Sequence, residues 1–210
     1  MITTLEYYAE GQTKIPNVII GGGDGSLQDN VQNNNTYVTN LIKRYELAFL
    51  IKALGITLAK ELLATLEEDG TFKTGTDQKW IDLVDGVSDE DWYGLRQQDE
   101  KISIVANFVY CNHLFNLSKG NLTQLGTSLD EVEHSKLVSP QYLFIEPWNE
   151  MVCQYQNAAD RFSYEWAYNT TSDQPAPKYG ITLEQFINNH SEDYPTPKFQ
   201  YFTLRNSMDL

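Results

Sequence analysis

Thr36-Tyr37-Val38-Thr39-Asn40-Leu41-Ile42-Lys43-Arg44-Tyr45-Glu46-Leu47-Ala48-Phe49-Leu50-Ile51-Lys52-Ala53-Leu54 is the stretch that decides the fold class. Within it Val38, Leu41, Ile42, Tyr45, Phe49 and Leu54 recur three to five positions apart, which puts them on one side of an amphipathic helix. Asn35 or Thr36 suits its N-cap and Gly55 its end. Leu58, Leu62, Leu63 and Leu66 carry a second helical pattern, closed by Glu67-Glu68-Asp69-Gly70, so the two are expected to meet in a hairpin or a sharp bend.

Toward the C-terminus, Trp80, Ile81, Leu83 and Val84 form a short third pattern with Asp77 as candidate cap and Asp85-Gly86 as stop. After the acidic turn Ser88-Asp89-Glu90-Asp91, the run Trp92-Tyr93-Gly94-Leu95-Arg96 is expected to open the longest helix, with Leu95, Ile102, Val105, Ala106, Val109, His113 and Leu117 on one broad face. Ser118 to Ser139 is polar and partly alternating, and reads as a long loop or hairpin. Pro140 suits a helix start, and Trp148, Met151, Val152, Tyr155, Ala159, Phe162 and Trp166 mark a final long helix that Pro147 either kinks or begins. Leu183 to Ile187 is a short helical pattern capped by Thr182, and Phe199 to Leu204 alternates as an extended strand suited to docking on a neighbouring subunit.

Toward the N-terminus, Val18-Ile19-Ile20 is a plausible short strand, but Gly21-Gly22-Gly23-Asp24-Gly25-Ser26 and the Asn/Gln-rich run to Asn35 favour turns. An extended arm that orders against something else is expected there. The chain is thus read as mainly α: a helical bundle of four to five helices with a long protruding loop or hairpin and extended N- and C-terminal arms. Residues 1–35 are the N-terminal arm, 36–170 the helical domain with its loop at 119–139, and 171–210 a short helix and extended tail.

With 29 Asp+Glu against 15 Lys+Arg, the net charge of −14 disfavours a protein that grips nucleic acid by neutralising phosphates. An acidic wall can still line a channel through which DNA must slide. The 210 residues suffice for one main core, and 13 Tyr and 4 Trp supply anchors for packing or interfaces. No apolar run approaches the roughly 20 residues that cross a bilayer, and the start lacks a secretory pattern, so no membrane partner is expected. Cys111 and Cys153 read as buried thiols of a reducing cytosol, with a disulfide between their helices as the alternative.

The glycine loop lacks the Gly-Lys-Ser/Thr ending of a phosphate cradle, and Asp24 and Asp29 lack calcium-loop spacing. His113, His134 and His190 lie far apart without metal-ligand spacing, and His113 reads as a core or interface residue. Asp89-Glu90-Asp91 reads as a solvated turn rather than a paired-carboxylate site. No catalytic residue, cofactor or metal is expected. The aromatic stripe from Trp148 to Tyr168 reads as core, with Tyr164 and Tyr168 extending it toward an interface.

The run Tyr45 to Leu66, then Lys79-Trp80, Leu83-Val84-Asp85-Gly86, and Trp92-Tyr93-Gly94-Leu95-Arg96 leading into Phe108-Val109-Tyr110, resembles the head-completion or head-to-tail adaptor proteins of tailed bacteriophages, particularly of Bacteroidetes-type hosts. Trp148-Asn149-Glu150-Met151 matches a patch on that family's second long helix, and the resemblance covers roughly residues 36 to 168. It implies a structural virion protein at the head-to-tail junction, made in the host cytoplasm. It further implies a ring of about twelve copies beneath the portal that extends the DNA channel, with portal and tail components as partners and DNA passing without specific binding. Subunit or partner contacts are then expected at Thr123, Leu125, Leu129, Val132 and Val138 of the loop, and at Phe199, Tyr201, Phe202 and Leu204 of the tail. Trp80, Trp92, Leu95, Val105 and Trp148 would hold the bundle. The alternative is a non-enzymatic binding module or host-directed regulator that uses the aromatic helix face; an enzyme would need titratable groups converging in a pocket.

Overall fold

The computed structural model describes residues 1–20, 28–124, 141–156, 180–195 and 199–203. The fold is mainly α, as expected. Its long elements are α1 (Gln28–Ala64), α3 (Ile104–Gln124) and α4 (Gln141–Tyr155), with the shorter α2 (Gln78–Asp85) and α5 (Leu183–Asn189) at one end. A two-stranded antiparallel hairpin, β1 (Arg96–Gln97) and β2 (Ile102–Ser103), leads into α3. Among the described residues no helix is long and apolar enough to cross a membrane.

Helix α1 follows the leucine and aromatic periodicity but begins at Gln28, ahead of the expected caps Asn35 and Thr36. The reason lies in where its polar side chains go. Thr36 and Thr39 donate their hydroxyls back to the carbonyls of Gln32 and Asn35, both at 2.8 Å, while the Asn34 and Asn35 amides reach the carbonyls of Pro16 and Ile19. The threonine hydroxyls thus share i−4 carbonyls inside the helix, and the asparagine amides take their partners outside it. Gly55, at φ 77° and ψ 168°, interrupts α1 where a helix end was expected, and such a backbone suits only glycine well.

The core is aromatic and shared by the three long helices. Phe108 of α3 lies against Tyr45 and Phe49 of α1, and Tyr37 of α1 meets His113, so α1 and α3 run antiparallel. Asn107 faces Glu150 and the Cys111 thiol points to the Phe144 carbonyl, so α3 and α4 are antiparallel too. His113 is buried, as expected, and burial lowers its pKa. Cys111 and Cys153 are not disulfide-bonded. Trp80, Trp92, Leu95 and Val105 are buried in the core, with Trp148 half-buried against it.

Several expectations are corrected. The stretch from Trp92 does not open a helix: Gly94, at φ 83°, and Gly86, at φ 91°, pack backbone against backbone. A Cβ on Gly86 would lie 2.5 Å from the Trp92 carbonyl oxygen, and one on Gly94 would lie 2.5 Å from that of Val84. The chain then turns through β1 and β2, so α1 rather than α3 is the longest helix. Of the two readings of Pro147, that it begins the last long helix is overturned, since α4 starts at Gln141 beside Pro140 and holds Pro147 buried inside it. The part of that pattern from Ala159 to Trp166 lies outside the described residues. Asp77 precedes α2 as expected, but its side chain makes no capping bond, whereas Thr182 and Gln185 complete a reciprocal capping box on α5.

The N-terminal stretch is not an extended arm over the residues described. Ile2, Tyr7, Tyr8, Ile15 and Val18 are buried in the same core as the helices. The anchor is Glu46 of α1, only 1% exposed, whose carboxylate accepts from the Ile2 amide at 3.1 Å and from the Thr3 amide and hydroxyl at 2.7 Å each. A composition-based reading overlooked it because Glu46 looks like a solvated charge on a helix.

Burial raises the Glu46 pKa, and the bonds from Thr3 and Ile2 offset part of that rise. A carboxyl with a raised folded value contributes stability that is fully present below its unfolded value and is lost as pH rises through the folded one. Wild type should therefore lose stability relative to Glu46→Gln as pH climbs from the ordinary carboxyl value of 4.5. Urea unfolding across that range checks it, and a difference that grows in the opposite sense would refute the assignment.

Candidate functional site

The expected contact residues separate into three groups in the structure. Thr123 lies within α3, which extends to Gln124, so the start of the expected loop at 119 is corrected to helix. Leu125, Leu129, Val132, Val138 and Leu204 lie outside the described residues. Phe199, Tyr201 and Phe202 pack on the chain's own body.

Phe202 enters a box of Phe49, Phe108, Trp148 and Tyr155, with ring centroids 4.7 to 6.4 Å away. Phe199 lies against Tyr155 at 4.5 Å. Tyr201, 64% exposed, points outward and donates its hydroxyl to Glu184 at 2.6 Å. Among the described residues no strand pairs with this tail, and Trp148, Tyr155 and Gln156 bond its main chain with their side chains. The aromatic face of α4 that sequence reasoning left open for a partner is therefore largely covered by the tail.

Apolar surface remains elsewhere. At the end of the bundle formed by the start of α1, the later turns of α3 and the start of α4, Tyr37, Leu117 and Leu143 are 41%, 47% and 59% exposed. Ile19 and Ile20 are exposed beside the start of α1, where Asn35 holds the Ile19 carbonyl. Exposed apolar groups of this size are a usual mark of an association surface, and Ile56, Tyr93, Ile102 and Tyr201 are exposed elsewhere on the chain. The sequence signal for Leu117 was misread, because the residue sits on the apolar stripe of α3 but beyond the point where α1 and α4 cover it.

The opposite end holds the most polar arrangement. An open cleft of about 760 Å³ is lined by Asp85, Asp91, Asp99, Glu100, Tyr93 and Arg96 among others. Arg96 is only 3% exposed and its guanidinium is committed inward: Nε to Asp85 at 2.8 Å, and Nη1 to the carbonyls of Ile2 at 2.8 Å and Gly70 at 2.7 Å. Its role is to join chain segments. Asp89-Glu90-Asp91 is a turn, with Glu90 3.2 Å from His190. Among the described residues no group of His, Cys, Asp and Glu side chains could hold a metal ion. No protein-family model, curated protein or solved structure matches the chain.

The three Arg96 bonds need a planar fork with several donors, which a lysine ammonium cannot reproduce. Arg96→Lys should cost about 2–4 kcal/mol of stability, since the Ile2 and Gly70 carbonyls would lose charged donors in a buried site. The readout is a lower urea midpoint at unchanged slope. A midpoint within error of wild type would show that Arg96 does not join these segments.

Proposed function

We propose that this chain is a structural assembly protein, the subunit of a ring that joins the portal of a tailed-phage capsid to its tail and extends the DNA channel. The observation that carries the reading is the apolar end of the bundle, where Tyr37, Leu117 and Leu143 meet solvent on three different helices. Exposed apolar groups on a rigid helical end supply the driving force for association with a second copy or with a portal. The net charge of −14 suits a wall past which DNA slides. The resemblance to head-to-tail adaptors supplies the context, and the tail and connector components are the further partners it implies.

The binding-module reading fares less well. It needs an open aromatic groove on α4, and Phe202 already fills the space between Phe108, Trp148 and Tyr155.

Light scattering and negative-stain imaging of the protein, alone and mixed with its phage's portal, test the proposal. A ring, or a complex with the portal, is expected. Leu117→Asp with Leu143→Asp should retain the helical signal yet weaken association at least about tenfold, which corresponds to about 1.4 kcal/mol. A monomer that ignores the portal at every concentration would sink the assignment.

A further inference from the structure

We infer that residues 199–203 are a strap over an aromatic groove that α1, α3 and α4 build without them, and that the strap opens and closes as one unit while the bundle stays folded. The contacts that carry this all lie within one chain and are independent of assembly.

The walls of the groove hold one another. Phe49 of α1 lies 5.5 Å from Phe108 of α3 and 5.2 Å from Tyr155 of α4, and Phe108 lies 6.4 Å from Trp148 of α4, all between ring centroids. Asn116 of α3 donates to the Tyr45 hydroxyl of α1 at 2.9 Å, and the Cys111 thiol of α3 donates to the Phe144 carbonyl of α4. The tail takes no part in these contacts, so they survive its departure. It lies on this frame as an outer layer: Phe49, Phe108 and Tyr155 are buried, whereas Phe199 and Phe202 are half-buried and Gln200, Tyr201 and Thr203 are exposed. An outer segment over a buried frame opens at lower cost than the frame itself.

Main-chain bonding supplies most of the hold on the strap. Trp148 Nε1 donates to the Thr203 carbonyl at 2.7 Å, Tyr155 donates to that of Gln200 at 3.0 Å, and the Gln200 amide donates to the Lys52 carbonyl at 3.0 Å. The Gln156 side-chain amide both donates to the Phe202 carbonyl and accepts from the Phe202 amide, each at 2.7 Å. Tyr201 adds a hydroxyl bond to Glu184 of α5 at 2.6 Å. Phe199 and Phe202 both rest on the ring of Tyr155, at 4.5 and 4.7 Å, and the hydroxyl of that same residue holds Gln200 between them, so loosening either end disturbs the other. When the strap lifts, water can bond the donors and acceptors it releases, so the open form leaves no polar group stranded in the groove. Closed, the strap covers the face of Phe108, Trp148 and Tyr155; open, it gives solvent that face together with the Gln156 amide that otherwise grips Phe202. The strap thus sets whether the aromatic face is available.

Residue-resolved hydrogen–deuterium exchange on the full-length chain at low urea tests this. The Gln200 and Phe202 amides should share one opening free energy with little urea dependence, while the amides of the buried residues Leu50 and Val109 exchange more slowly and with a steep dependence. Gln156→Ala removes both bonds to Phe202 and leaves the partner of the Gln200 amide, the Lys52 carbonyl, in place. It should speed exchange at Gln200 at least about tenfold and leave Leu50 and Val109 unchanged. Wild-type Gln200 and Phe202 amides that exchange as slowly as Leu50 would overturn the inference, because the segment would then open only with the whole fold. A Gln200 amide unmoved by Gln156→Ala would overturn it as well, by showing that the bonds act singly.

Discussion

The guanidinium of Arg96 bonds four parts of the chain at one buried point, adding to the Met1–Glu67 and Leu95–Leu83 bonds that join some of them in pairs. Its Nη1 bonds the carbonyls of Ile2 and Gly70, its Nε pairs with Asp85 at the end of α2, and its flat face lies over Phe72. N-terminal segment, the turn after α1, α2 and the hairpin before α3 thus converge on one buried cation. Nε and Nη1 are matched by three acceptors while the buried Nη2 has no hydrogen-bond partner, so the cation holds these segments through those three bonds rather than through a fully satisfied fork. Glu46 does the complementary work on the other sign of charge, taking main-chain amides where Arg96 takes main-chain carbonyls. Between them they convert polar stretches with little helical or strand pattern into ordered parts of the core.

The N-terminal segment runs along α1 from Glu46 to Asn35, and the tail covers the aromatic face where Phe49, Phe108, Trp148 and Tyr155 meet. The remaining helix ends leave Tyr37, Leu117 and Leu143 exposed. Ile56, Tyr93, Ile102 and Tyr201 are exposed as well, so apolar surface is not confined to the helix ends.

The helices were legible where periodicity was strong. Val38 to Leu54 and the pattern around Trp80 signalled burial correctly, Gly55 and Gly86 marked interruptions, and Thr182 marked a cap that forms in full. What could not be read was carried by single polar residues acting over long sequence separations. Arg96 and Glu46 look like surface charges on amphipathic elements, and no local pattern says that they face main-chain atoms some forty to ninety positions away. Trp92 to Leu95 has helical hydrophobic content, yet the backbone contact between Gly86 and Gly94 forbids a helix there. Phe199 and Phe202 were expected to meet a neighbouring subunit, but they pack on this chain, in a groove built from α1, α3 and α4 that no local pattern announces.

The most direct measurement is hydrogen–deuterium exchange on the assembled protein against the dissociated chain. Assembly through the helical end predicts added protection in residues 32–39, 113–117 and 143–146, with the amides of Ile2 and Thr3 equally protected in both states. Protection gained instead around residues 85–100, with the helical end unchanged, would contradict it and place the working surface at the acidic cleft.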